Sequence, residues 1–210
     1  MRSASEVIIS IEAGILGGSV SIRTGGRQFS YSGGADSSPE AELLLPKIDD
    51  LMYKAAASPK DVKQIIVSAG PGSFTGIRIG IATALGFASA VGATLRKIPL
   101  LPAMASAADG VVCSSVPVGR GMFASQIFDV AADSIVERKP AFLHSSIDEL
   151  QASIGDIEIG QFVSLRDTQQ ASSTAETVEI DNLAEQLILA ASDPRILGSE
   201  PIFLSKPGNV

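Results

Sequence analysis

Apolar and polar positions change rhythm several times along the chain. Val7–Ile11 is β-branched and apolar, and Ser19–Arg23 alternates apolar with polar residues after Gly14, Gly17 and Gly18. Residues 27–32 add a third strand-like stretch, so the first thirty residues predict a hairpin or meander joined by glycine-bearing turns. After a loop at Ser32–Ser38 the period becomes helical. Leu44, Ile48, Leu51, Met52 and Ala55 fall on one helical face, behind a Ser38-Pro39-Glu40 start suited to capping. Pro46 lies inside that pattern and predicts either a kink or a later start.

Val62–Ala69 predicts a buried strand that runs into Gly70-Pro71-Gly72-Ser73-Phe74-Thr75-Gly76. Ile77–Gly92 follows as a helix apolar almost all round, which predicts burial on every side. Gly76, Gly80, Ala84 and Ala88 recur every four residues, a small-residue ridge that would let another helix come close. Either an internal seam or a subunit interface would use it. Ile98–Leu101 reads as a short strand, and Ala103–Asp109 as a helical patch. Strands are predicted at Gly110–Val116, Phe123–Asp129, Ser134–Lys139, Ala141–Leu143, Phe162–Leu165 and Pro201–Leu204. Ser146-Ile147-Asp148-Glu149 is a capping box for a helix through about Ile154, and Asn182–Ser192 is an amphipathic helix. No sequence repeat is visible. The pattern is that of a mixed α/β chain with a division near 103–110.

Composition then removes several function classes. The 210 residues include one cysteine, Cys113, and one histidine, His144. An intramolecular disulfide and a multi-cysteine zinc site are excluded, and His144 has no HExxH neighbour. Cys113 sits in an apolar run and reads as buried and inert. Asp49-Asp50 read as solvated helix residues. No Ser/His/Asp spacing singles out a nucleophile. The net charge of −7 argues against a broad DNA-binding surface. It is unevenly placed: residues 1–105 carry net +2 and residues 106–210 net −9. Neither a signal-peptide pattern nor an apolar run of about 20 residues is seen, which predicts a cytoplasmic protein without a membrane span.

The strongest local chemistry is GPGSFTGIRIG, Gly70 to Gly80. A strand, a glycine turn and a helix start coincide there, with Ser73 or Thr75 as the cap. Free N–H groups at such a start can hold a phosphate or carboxylate, and Arg78 could clamp it. The spacing is not that of a P-loop. A tight structural turn with a capping hydroxyl remains the other reading.

VSAGPGSFTGIRIGIATALGFASAVG resembles the signature of the bacterial TsaB (YeaZ) family. IISIEAGILGGSVSI is similar to that family's first hairpin, AELLLPKIDDLM to its first helix, EPIFLS to its closing segment, and VGRGMFASQIF to a second-lobe segment. The resemblance is strong in residues 1–105 and weak beyond them. It implies an actin-like (ASKHA) fold of two ribonuclease-H-like lobes, 1–105 and a smaller, divergent 106–210. It also implies a non-catalytic subunit that acts with a TsaD-like subunit and a TsaE-like ATPase. The product is N6-threonylcarbamoyladenosine at position 37 of ANN-decoding tRNAs, with tRNA met only through the complex.

Pairing, with TsaD or as a homodimer in isolation, is expected through the helices near 38–57 and 74–92. That makes Leu44, Leu45, Ile48, Leu51, Met52, Gly76, Gly80, Ala84 and Ala88 the candidate interface. The anion- or nucleotide-facing candidates are Glu12, Gly70, Gly72, Ser73, Thr75, Gly76 and Arg78, and Arg120 stands in the second lobe. No metal site and no intrinsic cofactor are expected, with ATP and Mg2+ possible at the partner interface.

Departures from the family pattern bear on these roles. Glu12-Ala13 stand where the family has Asp followed by a hydroxyl residue, Val118 where it has Asp, and Ser205 where it has Arg. A longer Glu at that turn makes ATP hydrolysis less credible. The rival readings are an actin-like-fold ATPase or kinase using Glu12, Gly70–Gly76 and Arg78, and a homodimeric paralog without a tRNA role.

Overall fold

The structure, a computed structural model, describes residues 6–34, 43–168 and 175–196. The first sheet holds β1 (Val7–Glu12), β2 (Ser19–Thr24), β3 (Arg27–Ser32), β4 (Val62–Ser68) and β5 (Thr94–Ile98), in the order β3-β2-β1-β4-β5. β1–β2 and β2–β3 are antiparallel, whereas β1–β4 and β4–β5 are parallel. The second sheet holds β6 (Gly110–Gly119), β7 (Met122–Val130), β8 (Ile135–His144), β9 (Gln161–Leu165) and β10 (Glu176–Ile180), in the order β10-β9-β6-β7-β8. β6–β7 and β7–β8 are antiparallel, and β6–β9 and β9–β10 parallel. Read from β8, this is the same order and the same directions as the first sheet. The chain is therefore a topological duplication of one mixed α/β sheet order, although no sequence repeat announces it.

Five α-helices and a 3-10 turn at Pro59–Asp61 complete the described residues: α1 (Leu44–Lys54), α2 (Phe74–Val91), α3 (Leu100–Ala105), α4 (Ile147–Ile154) and α5 (Leu183–Ala191). Period-2 alternation explains the layers. In the first sheet Ile9, Ile11, Ile65 and Val67 face α1 and α2, in one core with Ile48, Leu51 and Ala84. The alternate positions of the central strands face α3 and α5, and Ile66 joins the larger core that runs on into the second lobe through Met104, Val112, Val163 and Leu187. The lobes are thus joined by continuous apolar packing. On the outer face of the second sheet, Cys113, Ile127 and Phe162 are covered by Leu150 and Ile154 of α4.

Several elements differ from expectation. The expected strand at Ile98–Leu101 is the end of β5 and the start of α3, with Pro99 at the N-cap. A proline there fits a helix start, whereas it would break a ladder. The expected strands at Ser134–Lys139 and Ala141–Leu143 are one strand, β8, whose pairing shifts register opposite Ser125–Phe128. Pro46 lies in the first turn of α1, where its missing N–H has no helical acceptor to lose, so it sets the start rather than kinking the helix. The expected Ser38 cap and the Pro201–Leu204 strand lie outside the described residues.

α5 follows the second sheet in sequence yet packs on the first. Ser10 donates to the Ala184 carbonyl, Ser19 accepts from the Ala184 N–H, and Asn182 donates to the Tyr31 carbonyl. At the other end Arg96 donates to the Ala191 carbonyl and Arg23 to Ser192. A cation at a helix C-terminus answers unpaired carbonyls and the helix dipole together. Arg96→Ala is expected to lower the unfolding free energy by about 1–2 kcal/mol. A denaturant titration with unchanged slope would show that loss as a lower midpoint.

Candidate functional site

The glycine loop is built from the end of β4. Ser68 accepts from the Gly70 N–H at 3.1 Å, and the Gly70 carbonyl accepts from Leu100 N–H at 2.8 Å, so the loop leaves the sheet tied on both sides. Ser73 is the cap of α2 and accepts from Gly76 N–H at 3.3 Å. Its own N–H donates to the Gly14 carbonyl at 2.8 Å, which fastens the loop to the β1–β2 turn. The contact between the two is tight: a Cβ on Gly72 would lie 3.0 Å from Gly14 backbone, and one on Gly76 only 2.0 Å from the Ala13 carbonyl oxygen. These glycines are present because two backbones meet there.

Glu12 ends β1 with no exposure at all. Its carboxyl curls into the turn that follows, accepting from Gly14 N–H at 2.6 Å and from Ile15 N–H at 3.2 Å. Burial pushes this carboxyl up to about 7 against the lowering effect of those two bonds. The neighbouring cavity, lined by Glu12, Leu16, Gly18, Gly33, Leu165 and Leu183, holds about 10 Å3. That is room for about one water. Glu12 fills its own turn, and Gly33 closes on Gly17, where a Cβ would meet backbone at 2.8 Å. The Glu12 carboxyl is thus taken up by its own turn, and the cavity beside it has no room for a phosphate. Thr75 and Arg78 stand outside this turn, exposed on α2, with the Arg78 guanidinium 3.7 Å above the Phe74 ring. Arg120 is on the second lobe at the tip of the β6–β7 hairpin, exposed and at φ 55° between Gly119 and Gly121.

The helix faces correct two expectations. α2 is buried on one side only, and the buried side is the small-residue ridge of Gly76, Gly80, Ala84 and Ala88. The ridge admits the chain's own β1–β2 turn: a Cβ on Gly80 would sit 3.0 Å from the Ala13 Cβ. It is an internal seam and presents nothing to a partner. Leu44, Ile48, Leu51 and Met52 of α1 likewise face the first core. Of the candidate interface residues Leu45 alone is exposed, at 56%. Also exposed on α1 and α2 are Tyr53 at 86%, Phe74 at 67% and Leu85 at 58%. Sequence reasoning missed these last three. The available signal was size: where the glycines and alanines of a helix pack inward, its large apolar residues are left outside. By length and composition α2 would also suffice to cross a membrane, against expectation. Its inward ridge is instead spent on the first sheet.

A second cluster was not visible in sequence. His144 Nε2 lies 2.7 Å from Ser125 Oγ, which donates to Ser115 Oγ at 2.8 Å. The ring stacks against Phe123 and tilts against Phe142, with centroids 5.8 and 5.9 Å away. His144 and Ser125 have no exposure, and Ser115 2%. A serine beside an imidazole resembles a nucleophile and its base, but a sealed pair offers a substrate no approach. Burial lowers the His144 pKa and holds the ring neutral, and it pushes the nearby Cys113 thiol up to about 12, which makes it inert.

Comparison with known proteins agrees with this architecture. Residues 37–126 match the family model described as TsaD, tRNA N6-adenosine threonylcarbamoyltransferase. The chain is 40% identical over 57 residues to the tRNA threonylcarbamoyladenosine biosynthesis protein TsaB of Escherichia coli, covering 27% of this chain and 24% of that protein. It is 42% identical over 67 residues to TsaB of Haemophilus influenzae, covering 31% and 28%. The matched region thus spans about a quarter of the length of these curated relatives. The solved structure of YeaZ from Pseudomonas aeruginosa superposes with a TM-score of 0.64 at 18% identity, over 89% of this chain and 91% of that one. With the glycine loop, the first hairpin and the duplicated sheet topology, these matches make the chain similar to TsaB (YeaZ) proteins, in sequence over part of its length and in fold over most of it.

Proposed function

We propose that the chain is a non-catalytic partner subunit in the synthesis of N6-threonylcarbamoyladenosine on ANN-decoding tRNAs. It docks a TsaD-like subunit through the outer faces of α1 and α2, and works alongside a TsaE-like ATPase in the cytoplasm. In this reading residues 1–105 form the docking lobe and residues 106–210 the second lobe.

One observation carries the proposal: an 18-residue helix leaves Phe74 and Leu85 exposed, and α1 likewise leaves Leu45 and Tyr53 exposed. Large apolar residues gathered on one face of a folded chain mark a contact surface. Aromatic anchors such as Tyr53 and Phe74 are the residue types that dominate binding energy. α1 and α2 belong to the near-neutral residues 1–105, and the net −9 of residues 106–210 would repel tRNA phosphates. The partner therefore supplies most tRNA contacts. The rival reading as an ATPase is disfavoured by the Glu12 turn, which its own carboxylate occupies.

Co-purification with TsaD from the same organism, with and without tRNA and ATP, tests the proposal, and the absence of any complex would sink it. Leu85→Glu is expected to weaken the complex by about a hundredfold, because a charge would be buried in an apolar contact. Calorimetric titration reads that loss, with the melting temperature of the variant held as the folding control. Size-exclusion of the chain alone decides whether the same face pairs two copies.

A further inference from the structure

We propose that the Glu12 carboxyl is a proton-operated latch between the β1–β2 turn and the head of α2. The inference concerns the chain alone and holds whatever partner α2 meets.

Glu12 is fully buried, and its only hydrogen bonds among the described residues run to the turn that follows it, at Gly14 and Ile15. That turn has little conformational preference of its own. Leu16 sits at φ 40°, and Gly17 and Gly18 at 78° and 79°, so three consecutive residues occupy the left-handed half of backbone space. Such a segment persists when its surroundings determine it. The surroundings are Glu12 on one side and the glycine loop on the other.

The path onward is one peptide unit long. The Gly14 N–H is held by Glu12, and the Gly14 carbonyl accepts from Ser73 N–H at 2.8 Å. Ser73 is the residue whose hydroxyl caps α2 through Gly76 N–H. Gly14 also touches Gly72 and Ile77, leaving about 3 Å for an added Cβ. A shift of Gly14 therefore meets both the loop and the helix start, in a packing too tight to absorb it locally.

The two protonation states make different bonds. The carboxylate has acceptors for both amides. The neutral acid keeps one carbonyl oxygen and turns the other into a hydroxyl, an O–H donor that accepts from an N–H only weakly. The weaker bond, to Ile15 at 3.2 Å, is the one given up, and Gly14 keeps its acceptor. Among the described residues no charged side chain balances the carboxylate. The lining residues from β2, β3, β9 and α5 are Ser19, Ser32, Gly33, Leu165 and Leu183, and the α2 head adds Ser73 and Ile77. Of the charged residues next along these elements, Arg78 is exposed and stacked on Phe74, and Arg166 is paired with Glu179 and Asp181. Glu185 lies beyond the Asn182 cap of α5. With no counter-charge, burial carries the proton's midpoint to about 7, inside the range where a latch can work.

Amide-resolved NMR of the full chain from pH 4.5 to 8.5 tests the latch. The Gly14 and Ile15 amides are expected to shift with a midpoint near 7, and the Ser73 and Gly76 amides to follow the same midpoint. Glu12→Gln, which keeps an acceptor for Gly14, is expected to abolish all four shifts. A Gly14 transition at the ordinary carboxylate midpoint overturns the proposal. So do Ser73 and Gly76 amides that stay flat through the Gly14 transition. If the variant does not fold, the wild-type midpoint and its co-titration decide alone. The His144 ring, in the other lobe, is expected to titrate separately, with its midpoint lowered by burial.

Discussion

Gly76→Ala is expected to cost more than about 4 kcal/mol, enough to unfold the first lobe or leave it marginal. The added Cβ would fall 2.0 Å from the Ala13 carbonyl oxygen and 2.9 Å from its carbon, inside any permitted contact. Both atoms are backbone, so no side chain can swing aside. Ala13 in turn cannot withdraw, because the residues around it are held by Glu12 and by Ser73. Gly80→Ala meets the Ala13 Cβ at 3.0 Å, with its next contacts no closer than 3.7 Å, and is expected to cost less. Gly86 lies in the same helix on the outer face with nothing within 4 Å. There alanine is expected to stabilise by roughly 0.5–1 kcal/mol, through helix propensity. Urea unfolding of the three variants checks the ranking. If Gly76→Ala matched wild type, the seam between α2 and the β1–β2 turn would be wrong. Ala84 has no exposure, so Ala84→Trp would break the lobe from within rather than report on pairing.

The second large effect is on pH. Unfolded, Glu12 ionises near 4.5; folded, it ionises at about 7. Between these values the folded state holds a proton that the unfolded state has lost, so stability falls as pH rises through that window and is level above it. The span corresponds to about 3 kcal/mol. His144 acts in the opposite sense. Its folded pKa lies below the ordinary 6.5, so the unfolded state takes up a proton first, and stability falls as pH drops below 6.5. Wild type alone would show the sum of these and other groups. The difference between wild type and Glu12→Gln isolates the first: the variant is expected to gain about 3 kcal/mol on wild type between pH 4.5 and 8. A constant difference across that range would show that the carboxyl reaches water.

Much of the local structure could be read along the chain because it depends on near neighbours. Ser146 caps α4 through the Glu149 N–H as the spacing implied, although the Glu149 carboxylate accepts from Ser145 and not from the N-cap amide; Ser73 caps α2, and the alternation of Ser19–Arg23 is the strand β2. The glycine loop was legible for the same reason, since a strand, a turn and a helix start are successive segments. β10 went unread, because ETVEI is too short and polar to stand out, and only its pairing with β9 makes it a strand. The direction of the α2 ridge was not decidable either. A helix apolar on both sides fits a buried position or a docking face equally, and only the approach of Ala13 shows which side is filled.

By itself the sequence determined the α/β class, the hairpin, the glycine loop with its cap, and the family resemblance. These rest on side-chain period and on turn chemistry, which act over a few residues. Tertiary structure alone decided the rest. It turned the small-residue ridge inward and Phe74 and Leu85 outward, and it set Glu12 in its own turn. It also joined Ser125 to His144 across two strands, repeated one sheet topology in both lobes, and returned α5 to the first. Each of these depends on contacts between residues far apart in the chain, whose pairing no local pattern encodes.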